Sequence, residues 1–482
     1  MSITLIWFRR DLRLEDNPAL AHALETGGKV LPVYIHAPEE EEAWAPGAAA
    51  RWWLHHSLQA LCDELARCGA PLVIRRGPSR TALETLVRET GAQRVVWNRL
   101  YDPAAIRRDR EIKGALRAQG LQVESFNAAL LMEPWTVSNR SGQPYRVFTP
   151  FWKACRALGA ERQIPGPSAP SALPGMAKPP ATEAVEALDL RPRIRWDTGL
   201  AATWQPGEAG ARAALIHFAE TALEDYDQGR DRPARAGTSR LSPHLHFGEI
   251  GPRQVMAVCA QARERTAAGV DRFLSELGWR EFAHHLLFHF PETCTRPLDR
   301  RFEDLPLADP REVPLEAWCQ GRTGLPIVDA GMRELWHTGW MHNRVRMITA
   351  SLLTKNLRAS WLEGARWFWD TLVDADLAAN TLGWQWTAGC GADAAPYFRI
   401  FNPVLQGERF DAAGDYVRRW VPELAPLPDR YLHRPWESPA AVLRAAGVHL
   451  GRDYPRPVVD LAETRRAALA AFEHIKTRPK AD

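Results

Sequence analysis

The first 130 residues alternate short β-branched segments with segments of helical periodicity. This order constrains the fold strongly, because strands that alternate with helices form a parallel sheet with helices packed on both faces. The predicted strands are ITLIWF, VLPVYIH, LVIRRG, RVVWN and VESFN, and the predicted helices between them are 17–26, 49–68, 79–90 and 104–119. The sequence therefore predicts an α/β fold here, a doubly wound, Rossmann-like parallel sheet.

From about residue 204 the pattern becomes helical, with few strand signals. The predicted helices are 208–226, 252–267, 270–290, 326–338, 340–356, 361–373, 376–385 and one near 460–474. Before them, IPGPSAPSALPGMAKPPA is rich in Pro, Gly, Ser and Ala, which predicts a long connection that buries no core. We expect an α/β domain at 1–130, a linker at 131–203 and an all-α domain at 204–482, since 482 residues usually form more than one domain.

Charge and cysteine content exclude some classes of function. Lys and Arg number 61 against 58 Asp and Glu, and this near balance is compatible with DNA binding but indicates it only weakly. Seven cysteines form no CxxC pair, which argues for reduced thiols and against a zinc or iron–sulfur site. No apolar segment reaches membrane-spanning length, and the N-terminus does not resemble a signal peptide. We expect a monomeric, cytoplasmic protein without a metal.

Charged residues end the first predicted strand, in WFRRDLRLEDNPAL. Arg9, Arg10 and Asp11 would lie at the carboxyl edge of the sheet, where ligands of such sheets bind. The alternative is a solvated charged loop. No GxGxxG and no Walker loop is present, so an ordinary dinucleotide or NTPase site is not predicted.

The stretch from Asp370 to Pro403 carries a row of functional side chains. Asp376, Asn380 and Trp384 follow one another at intervals of four, which on a helix places them on one face. Their carboxylate and amide can hydrogen-bond a polar heterocycle, and the indole can stack or be oxidised. Trp386, two residues further on, points elsewhere. The alternative is a buried amphipathic helix capped by an Asp.

Three further segments supply polar groups. In GTSRLSPHLHFGEI, hydroxyl residues surround Arg240 at a turn into a helix, which suits a phosphate, with a helix cap as the alternative. In FLSELGWREF, Glu276 and Arg280 are four apart, and a surface salt bridge is the alternative. In TGWMHNRVRMITASLL, Arg344 and Arg346 beside aromatic residues would suit phosphate contacts with base stacking.

Taken together, these segments resemble the DNA photolyase/cryptochrome family, and within it the bacterial cyclobutane pyrimidine dimer photolyases. The matching segments are WFRRDLRLEDNPAL, RWWLHHSL, GTSRLSPHLHFGEI, ELGWREF, TGLPIVDAGMRELWHTGWMHNRVRM, DADLAANTLGWQW and DAAPYFRIFNP. The resemblance covers nearly the whole chain. It implies an N-terminal α/β antenna domain, an all-helical C-terminal domain that holds folded FAD, and light-dependent electron transfer from reduced FAD to a dimer flipped out of DNA.

The resemblance also implies roles for single residues. The positions matched to FAD binding are Tyr226, Thr238, Ser239, Arg240, Leu241, Ser242, Phe273, Glu276, Arg346, Asp374, Ala375, Asp376 and Asn380. The positions matched to DNA contacts are Trp279, Arg280, Asn343, Arg344, Met347, Trp386, Arg399 and Gln406. The positions matched to catalysis are Glu276, Asn343 and the first two tryptophans of an electron relay, Trp384 and Trp361. Within these sets Arg346 pairs with Asp374, and Asn380 faces flavin N5.

The outer relay position departs from the family pattern. It falls on Ala308, or on Leu307 if a gap is allowed, and neither side chain can be oxidised. We hypothesise a rerouted outer step through Trp336, Trp367 or Trp369, with packing roles as the alternative.

The antenna position also departs from one branch of the family. In that branch, folate-type antenna sites use an acidic residue at the position where this chain has Ala105. LYDP with RWWLHHSL resembles instead the plant-cryptochrome-like bacterial photolyases. We expect a second antenna chromophore, methenyltetrahydrofolate in another pose or a deazaflavin, and an empty site stays open.

Three other functions compete with dimer repair. A cryptochrome-type blue-light receptor shares the fold and FAD, but Asn380 and the dimer-pocket residues favour repair. A (6-4) photolyase would need a proton-transferring His near Asn343 and Met347, and His342 is there, but the pattern MHNRVRM is the dimer type. A helical DNA-binding protein without a cofactor is the third alternative.

Overall fold

The computed structural model describes residues 2–394 and 398–476, so positions 395–397 of the DAAPYFRIFNP motif lie outside the described residues. The chain divides into two compact units. Unit 1 runs through Glu224 and adds Ser239–Pro291 and Val373–Leu377. Unit 2 comprises Asp225–Thr238, Glu292–Leu372 and the chain from Ala378 onward.

The strands are β1 (Ile3–Phe8), β2 (Lys29–His36), β3 (Val73–Arg76), β4 (Arg94–Asn98) and β5 (Gln122–Phe126). The α-helices are α1 (Pro18–Glu25), α2 (Ala48–Arg67), α3 (Ser79–Thr90), α4 (Pro103–Ala118), α5 (Phe148–Ala157), α6 (Thr198–Thr203), α7 (Glu208–Thr221), α8 (Tyr226–Gly229), α9 (Ser242–His246), α10 (Pro252–Ala262), α11 (Ala267–His289), α12 (Leu315–Cys319), α13 (Pro326–Thr338), α14 (Asn343–Ser351), α15 (Trp361–Thr371), α16 (Leu377–Ala388), α17 (Pro403–Phe410), α18 (Asp415–Trp420), α19 (Asp429–Leu432), α20 (Ala440–Ala445) and α21 (Leu461–Lys476). A π-helix, Leu352–Asn356, continues α14. Short 3₁₀ helices span Pro38–Trp44, Pro134–Thr136, Ala160–Arg162, Val185–Leu188, Pro291–Cys294, Arg300–Asp304, Pro422–Leu424 and Pro435–Glu437.

The five strands form one parallel sheet in the order β3-β2-β1-β4-β5. Its order steps outward from β1 in both directions, as a doubly wound sheet requires. In the described part of unit 2, the regular elements are helices. The predicted fold class, an α/β part followed by an all-α part, is confirmed.

The sheet is buried on both faces. Leu5 and Trp7 of β1 belong to one hydrophobic core, and Ile6 and Phe8 belong to the core on the opposite face. Successive residues of a strand point to opposite faces, so a strand covered on both sides needs apolar residues throughout. This is why ITLIWF has no polar alternation.

The segment 131–203 contributes to the core of unit 1. Leu173, Val185 and Leu188 are buried in the same cluster as α2. The prediction that this segment buries no core is therefore wrong, because apolar residues spaced between its Pro and Gly turns pack inward. The predicted domain boundaries themselves stay a prediction.

A buried carboxylate organises the start of α13 in unit 2. Asp329 is fully buried and accepts hydrogen bonds from the Thr323 and Gly324 backbone N–H groups at 2.7 and 3.0 Å. It also accepts from the Thr323 hydroxyl at 2.6 Å and from the Tyr454 hydroxyl at 2.6 Å. One side chain thus fixes the turn before α13 and joins it to Tyr454, which is 125 residues away in the sequence.

The part of the chain that the structure describes holds neither a membrane-spanning helix nor a metal cluster. No helix there combines the length and the apolar stretch that a bilayer crossing needs. No group of three or more His, Cys, Asp or Glu side chains there could hold a metal ion.

Candidate functional site

Two stretches of unit 1 meet at a contact between a hydroxyl and a carboxylate. Ser242, the first residue of α9, donates its hydroxyl to Asp374 Oδ2 at 2.6 Å. Arg240, two residues earlier, has a φ of 52°, in the left-handed region, so the chain turns sharply just before α9. Its guanidinium lies over the Trp204 ring at 5.7 Å. The turn therefore presents hydroxyl groups and a cation beside an acidic residue.

Asp376 lies between two histidines of unit 1. Its Oδ2 is 3.4 Å from His246 Nδ1 and 3.6 Å from His284 Nε2. Burial raises the pKa of Asp376, but His284, His246 and Arg280 together outweigh burial and hold this pKa well below its usual range. Burial lowers the pKa of His284 to about 4 against the opposing effect of Asp376. Near neutral pH the pair therefore consists of an ionised carboxylate and a neutral imidazole.

An aromatic stack lies on α11. The Trp279 ring stacks on Phe148 of α5, with centroids 4.0 Å apart and planes at 10°. Trp279 is only partly buried, so an indole supported on one side remains partly accessible. Arg280, the next residue, donates to the Ala129 carbonyl at 2.7 Å. Phe273, two turns earlier, packs on Phe218 at 4.6 Å.

In unit 2, the start of α14 exposes an amide beside two arginines. Asn343 is exposed at the first position of the helix. Arg344 pairs with Asp231 at 2.8 Å and lies over the Phe410 ring at 4.3 Å. Arg346 donates from Nε to the Met341 carbonyl at 2.7 Å.

His342, just before α14, is buried and already bonded. Its Nδ1 accepts a hydrogen bond from the Arg344 backbone N–H at 3.1 Å, as an N-cap does. Burial lowers the pKa of His342 to about 3, so the ring is neutral near pH 7.

α16 carries two of the three side chains in the predicted row. The helix begins at Leu377, so Asp376 directly precedes it rather than belonging to its face. Asn380 donates its amide to the Ala365 carbonyl at 3.0 Å. Trp384 is buried and meets Phe368 edge to face at 5.0 Å. The predicted row is therefore a helix face that lacks its first member.

Next to the end of α16 lies a small recess that is partly open to solvent, which we call the aromatic recess. Its lining includes Trp386, Thr387, Phe398, Arg399, Phe401 and Phe472. The Trp386 indole N–H donates to the Asp393 carbonyl at 3.1 Å, while Arg399 is exposed. Two predicted DNA-contacting residues, Trp386 and Arg399, thus share one recess in unit 2.

The remaining predicted residues differ in exposure. The buried ones are Tyr226, Leu241 and Ala375. The partly buried ones are Thr238, Ser239, Glu276, Met347, Trp361 and Gln406. The roles assigned to all of these residues, and the pairing of Arg346 with Asp374, stay predictions.

The tryptophans proposed for the outer relay step lie in two settings. Trp336 and Trp367 stack with centroids 6.1 Å apart and planes at 8°, and Trp336 is 59% exposed. Trp369 is buried. Leu307, at the expected position, is itself exposed. An exposed indole in a stack suits a terminal electron donor, and the rerouted step stays a prediction.

Two of the charged residues that follow β1, Arg9 and Asp11, are buried and bind other polar groups of the chain. The Arg9 guanidinium donates to both carboxylate oxygens of Asp109, at 2.8 and 3.0 Å. Asp11 accepts from the Arg9 backbone N–H at 2.6 Å and from Asn98 Nδ2 at 2.7 Å. Arg9 and Asp11 are buried, so the alternative of a solvated loop does not hold for them.

Comparison with known proteins shows the family. A family model described as DNA photolyase matches residues 4–171, and one described as the FAD binding domain of DNA photolyase matches residues 273–474. The chain is 48% identical over 474 residues to a deoxyribodipyrimidine photo-lyase of Agrobacterium fabrum, covering 98% of each protein. The chain belongs to the DNA photolyase family. Its C-terminal half therefore carries the FAD-binding domain of that family.

Two further relatives of this DNA photolyase family member differ in kind. A crystal structure of a bacterial class III photolyase from Agrobacterium tumefaciens superposes with a TM-score of 0.95 at 47% identity, covering 99% of this chain and 98% of that one. Cryptochrome-1 of Arabidopsis thaliana is 41% identical over 471 residues, covering 96% of this chain and 69% of that protein. The predicted family and fold are confirmed.

The described side chains fit FAD by their chemistry. In unit 1, the hydroxyl groups and Arg240 at the turn before α9 match the charge of a diphosphate, and Asp374 and Asp376 can accept hydrogen bonds. In unit 2, the Asn380 amide is anchored by its N–H group, which leaves its oxygen as an acceptor. Each of these residues is therefore suited by its chemistry to contact FAD.

Several partners of the predicted residues carry little or no signal in the sequence. Phe148 lies in the supposed linker, yet it supports Trp279. His246 and His284 flank Asp376. In the sequence, the one feature that points to them is that each lies in a helix that already carries a predicted site residue. Trp318 is fully buried and meets Trp384 edge to face at 6.2 Å.

Proposed function

We propose that this protein repairs cyclobutane pyrimidine dimers in DNA under light, with bound FAD. The observation that carries the proposal is the match along 98% of both chains to a deoxyribodipyrimidine photo-lyase. The FAD-binding domain supports it, because that domain supplies the place for the cofactor. We further expect a monomer whose partner is damaged DNA.

The residues of the chain bind and orient, while the cofactor supplies the redox chemistry. When bound and reduced, FAD donates on illumination the electron that splits the dimer. The turn at Arg240 would hold the diphosphate, and ionised Asp376, backed by two histidines, would accept hydrogen bonds from a polar ring. Glu276 and Asn343 would hydrogen-bond the lesion and favour the charge that develops on it.

A dimer in a duplex must leave the base stack before it reaches a buried cofactor. Flipping costs least where damage has already weakened stacking and pairing. Trp279, held flat on Phe148, offers a rigid indole on which an extruded base can stack. Because its support is another ring rather than a mobile side chain, little further ordering is needed on binding.

The deciding experiment illuminates the reduced, FAD-loaded protein with dimer-containing DNA and scores loss of the dimer. Glu276→Ala should retain FAD and repair about tenfold less, since a hydrogen bond to developing charge is lost. Glu264→Ala, an exposed glutamate outside the assigned set, is the matched control and should repair normally. If the wild-type protein repairs no dimers, the proposed function is refuted. If Glu276→Ala repairs as well as the wild type, only the role assigned to Glu276 is refuted.

Trp279→Ala should weaken binding of dimer-containing DNA by about five- to one-hundredfold, because stacking contributes about 1–3 kcal/mol per base. Binding of undamaged DNA should change far less. The half-exposed Trp135 gives a control, Trp135→Ala, from the same unit. Fluorescence anisotropy with matched oligonucleotides measures both affinities, and equal losses for the two DNAs would contradict the assigned stacking role. Raising salt should weaken all of these affinities, because phosphate contacts release counterions.

Cryptochrome-type light reception is the second candidate, since the chain is also 41% identical to a plant cryptochrome. The two functions separate in the illumination assay. A receptor would photoreduce its FAD yet leave dimers intact. An antenna chromophore, methenyltetrahydrofolate or a deazaflavin, stays a prediction that the absorbance of the purified protein tests.

A further inference from the structure

Lys355 is a buried lysine that has no part in the function proposed so far. It lies in the π-helix that continues α14 and is 1% exposed. Its ammonium donates to the carbonyl of Ala388, the last residue of α16, and lies 3.2 Å from the centroid of the Phe398 ring. π-helical turns are rare and occur often at functional sites.

These contacts hold one wall of the aromatic recess. Phe398 and Arg399 line the recess, and Trp386 lies two residues before the carbonyl that Lys355 binds. The same helical segment makes a second attachment, because Ser351 Oγ accepts from the Phe401 backbone N–H at 3.0 Å. The end of α14 and the π-helix that continues it therefore fasten both the end of α16 and the stretch 398–401.

We propose that Lys355 is a positioning residue for lesion binding, one that fixes Trp386 and Arg399 at the aromatic recess by fastening the end of α16 to Phe398. The inference rests on the proposed function and deepens it. A cation suits this place, because it meets the negative end of a helix dipole and the face of an aromatic ring.

The setting makes this attachment sensitive to pH. Burial lowers the pKa of Lys355 to about 7, so the ammonium loses its charge as pH rises through neutrality. Cys390 faces it, and burial raises the pKa of this thiol to about 12, so the thiol stays neutral. The charged residues of α15 and α21, which pack on the π-helix, are exposed, and Asp299 near Cys390 pairs with Arg301.

A rise in pH should change the free energy of unfolding and the affinity for the lesion in opposite directions. An unfolded lysine keeps its proton to about pH 10.5, so between pH 7 and that value the unfolded state holds the extra proton and stability rises with pH. Lesion affinity should fall over the same range, because a neutral amine no longer attracts the Phe398 ring. If Lys355 only stabilised the fold, lesion affinity would not fall while stability rises.

The test compares FAD-loaded wild-type protein with Lys355→Met and Phe398→Leu. Each variant should keep its FAD and bind a dimer-containing oligonucleotide about tenfold more weakly at pH 6.5, with undamaged DNA changed less than about twofold. From pH 6.5 to 8.5, wild-type lesion affinity should fall and its urea midpoint should rise, whereas Lys355→Met should be flat in both. Lys178→Met, at an exposed lysine, is the control.

Each outcome has one meaning. FAD-loaded Lys355→Met and Phe398→Leu with wild-type lesion affinity would overturn the inference, as would equal losses for both DNAs. If wild-type protein itself does not distinguish dimer-containing from undamaged DNA, the proposed function fails instead. If Lys355→Met does not fold, the pH course of lesion affinity decides: it should fall from pH 6.5 to 8.5 in the wild type and stay flat in Phe398→Leu, which keeps the lysine and lacks the ring that its charge attracts.

Discussion

Gly364→Ala should slow photoreduction of the bound oxidised flavin by at least about tenfold. Gly364 lies on α15, and a Cβ atom there would overlap the outer ring atoms of Trp384. Trp384 is buried between Phe368 and Trp318, so it cannot move aside without disturbing both rings. Overpacking of this kind costs about 1–3 kcal/mol and shifts the ring. Electron transfer depends steeply on the distance and contact that such a shift changes.

A matched control exists on α16 itself. Gly383 is exposed, and a Cβ atom there would meet nothing within 4 Å. Gly383→Ala should leave photoreduction unchanged and stabilise the helix slightly, because Ala is the better helix former. Flash absorption of both FAD-loaded variants gives the rates. A Gly364→Ala protein that photoreduces at the wild-type rate would contradict the predicted role of Trp384 in the relay.

Asp329→Ala should lower the free energy of unfolding by about 3–5 kcal/mol, the largest stability effect that we expect from one substitution. The change leaves the Thr323 and Gly324 N–H groups and the Tyr454 hydroxyl without their buried acceptor. Urea denaturation followed by circular dichroism measures the loss.

The control is Asp309→Ala. Asp309 likewise accepts from a backbone N–H, that of Arg311, and pairs with the Arg311 side chain, but both contacts are at the surface. Surface pairs contribute little, so no measurable change is expected there. Similar losses for the two variants would show that burial is not what makes Asp329 important.

The sheet could be predicted because each of its strands is a short apolar segment between helical patterns. ITLIWF and RVVWN lie where β1 and β4 are found. The helices followed from periodicity, although α16 begins one residue after Asp376 and α14 begins only at Asn343. Ends depend on local capping, which periodicity does not show.

The contacts of the site could not be predicted in the same way, because they join segments distant in sequence. Ser242 and Asp374 are 132 residues apart, and nothing in either motif names the other. Phe148 was hidden by its position in a Pro-rich segment. Lys355 carried no signal either, since a lysine in an apolar helix is expected to reach solvent. Burial and tertiary partners decide such cases.

Unit 1 takes its last piece, Val373–Leu377, from far along the chain. Val373 is fully buried in the core with the sheet, and Asp374 closes on Ser242. On a ribosome, therefore, unit 1 cannot complete its packing until more than three quarters of the polypeptide has been synthesised. Its early segments must wait in a partly assembled state, which makes chaperone binding and translation speed natural influences on the yield of active protein.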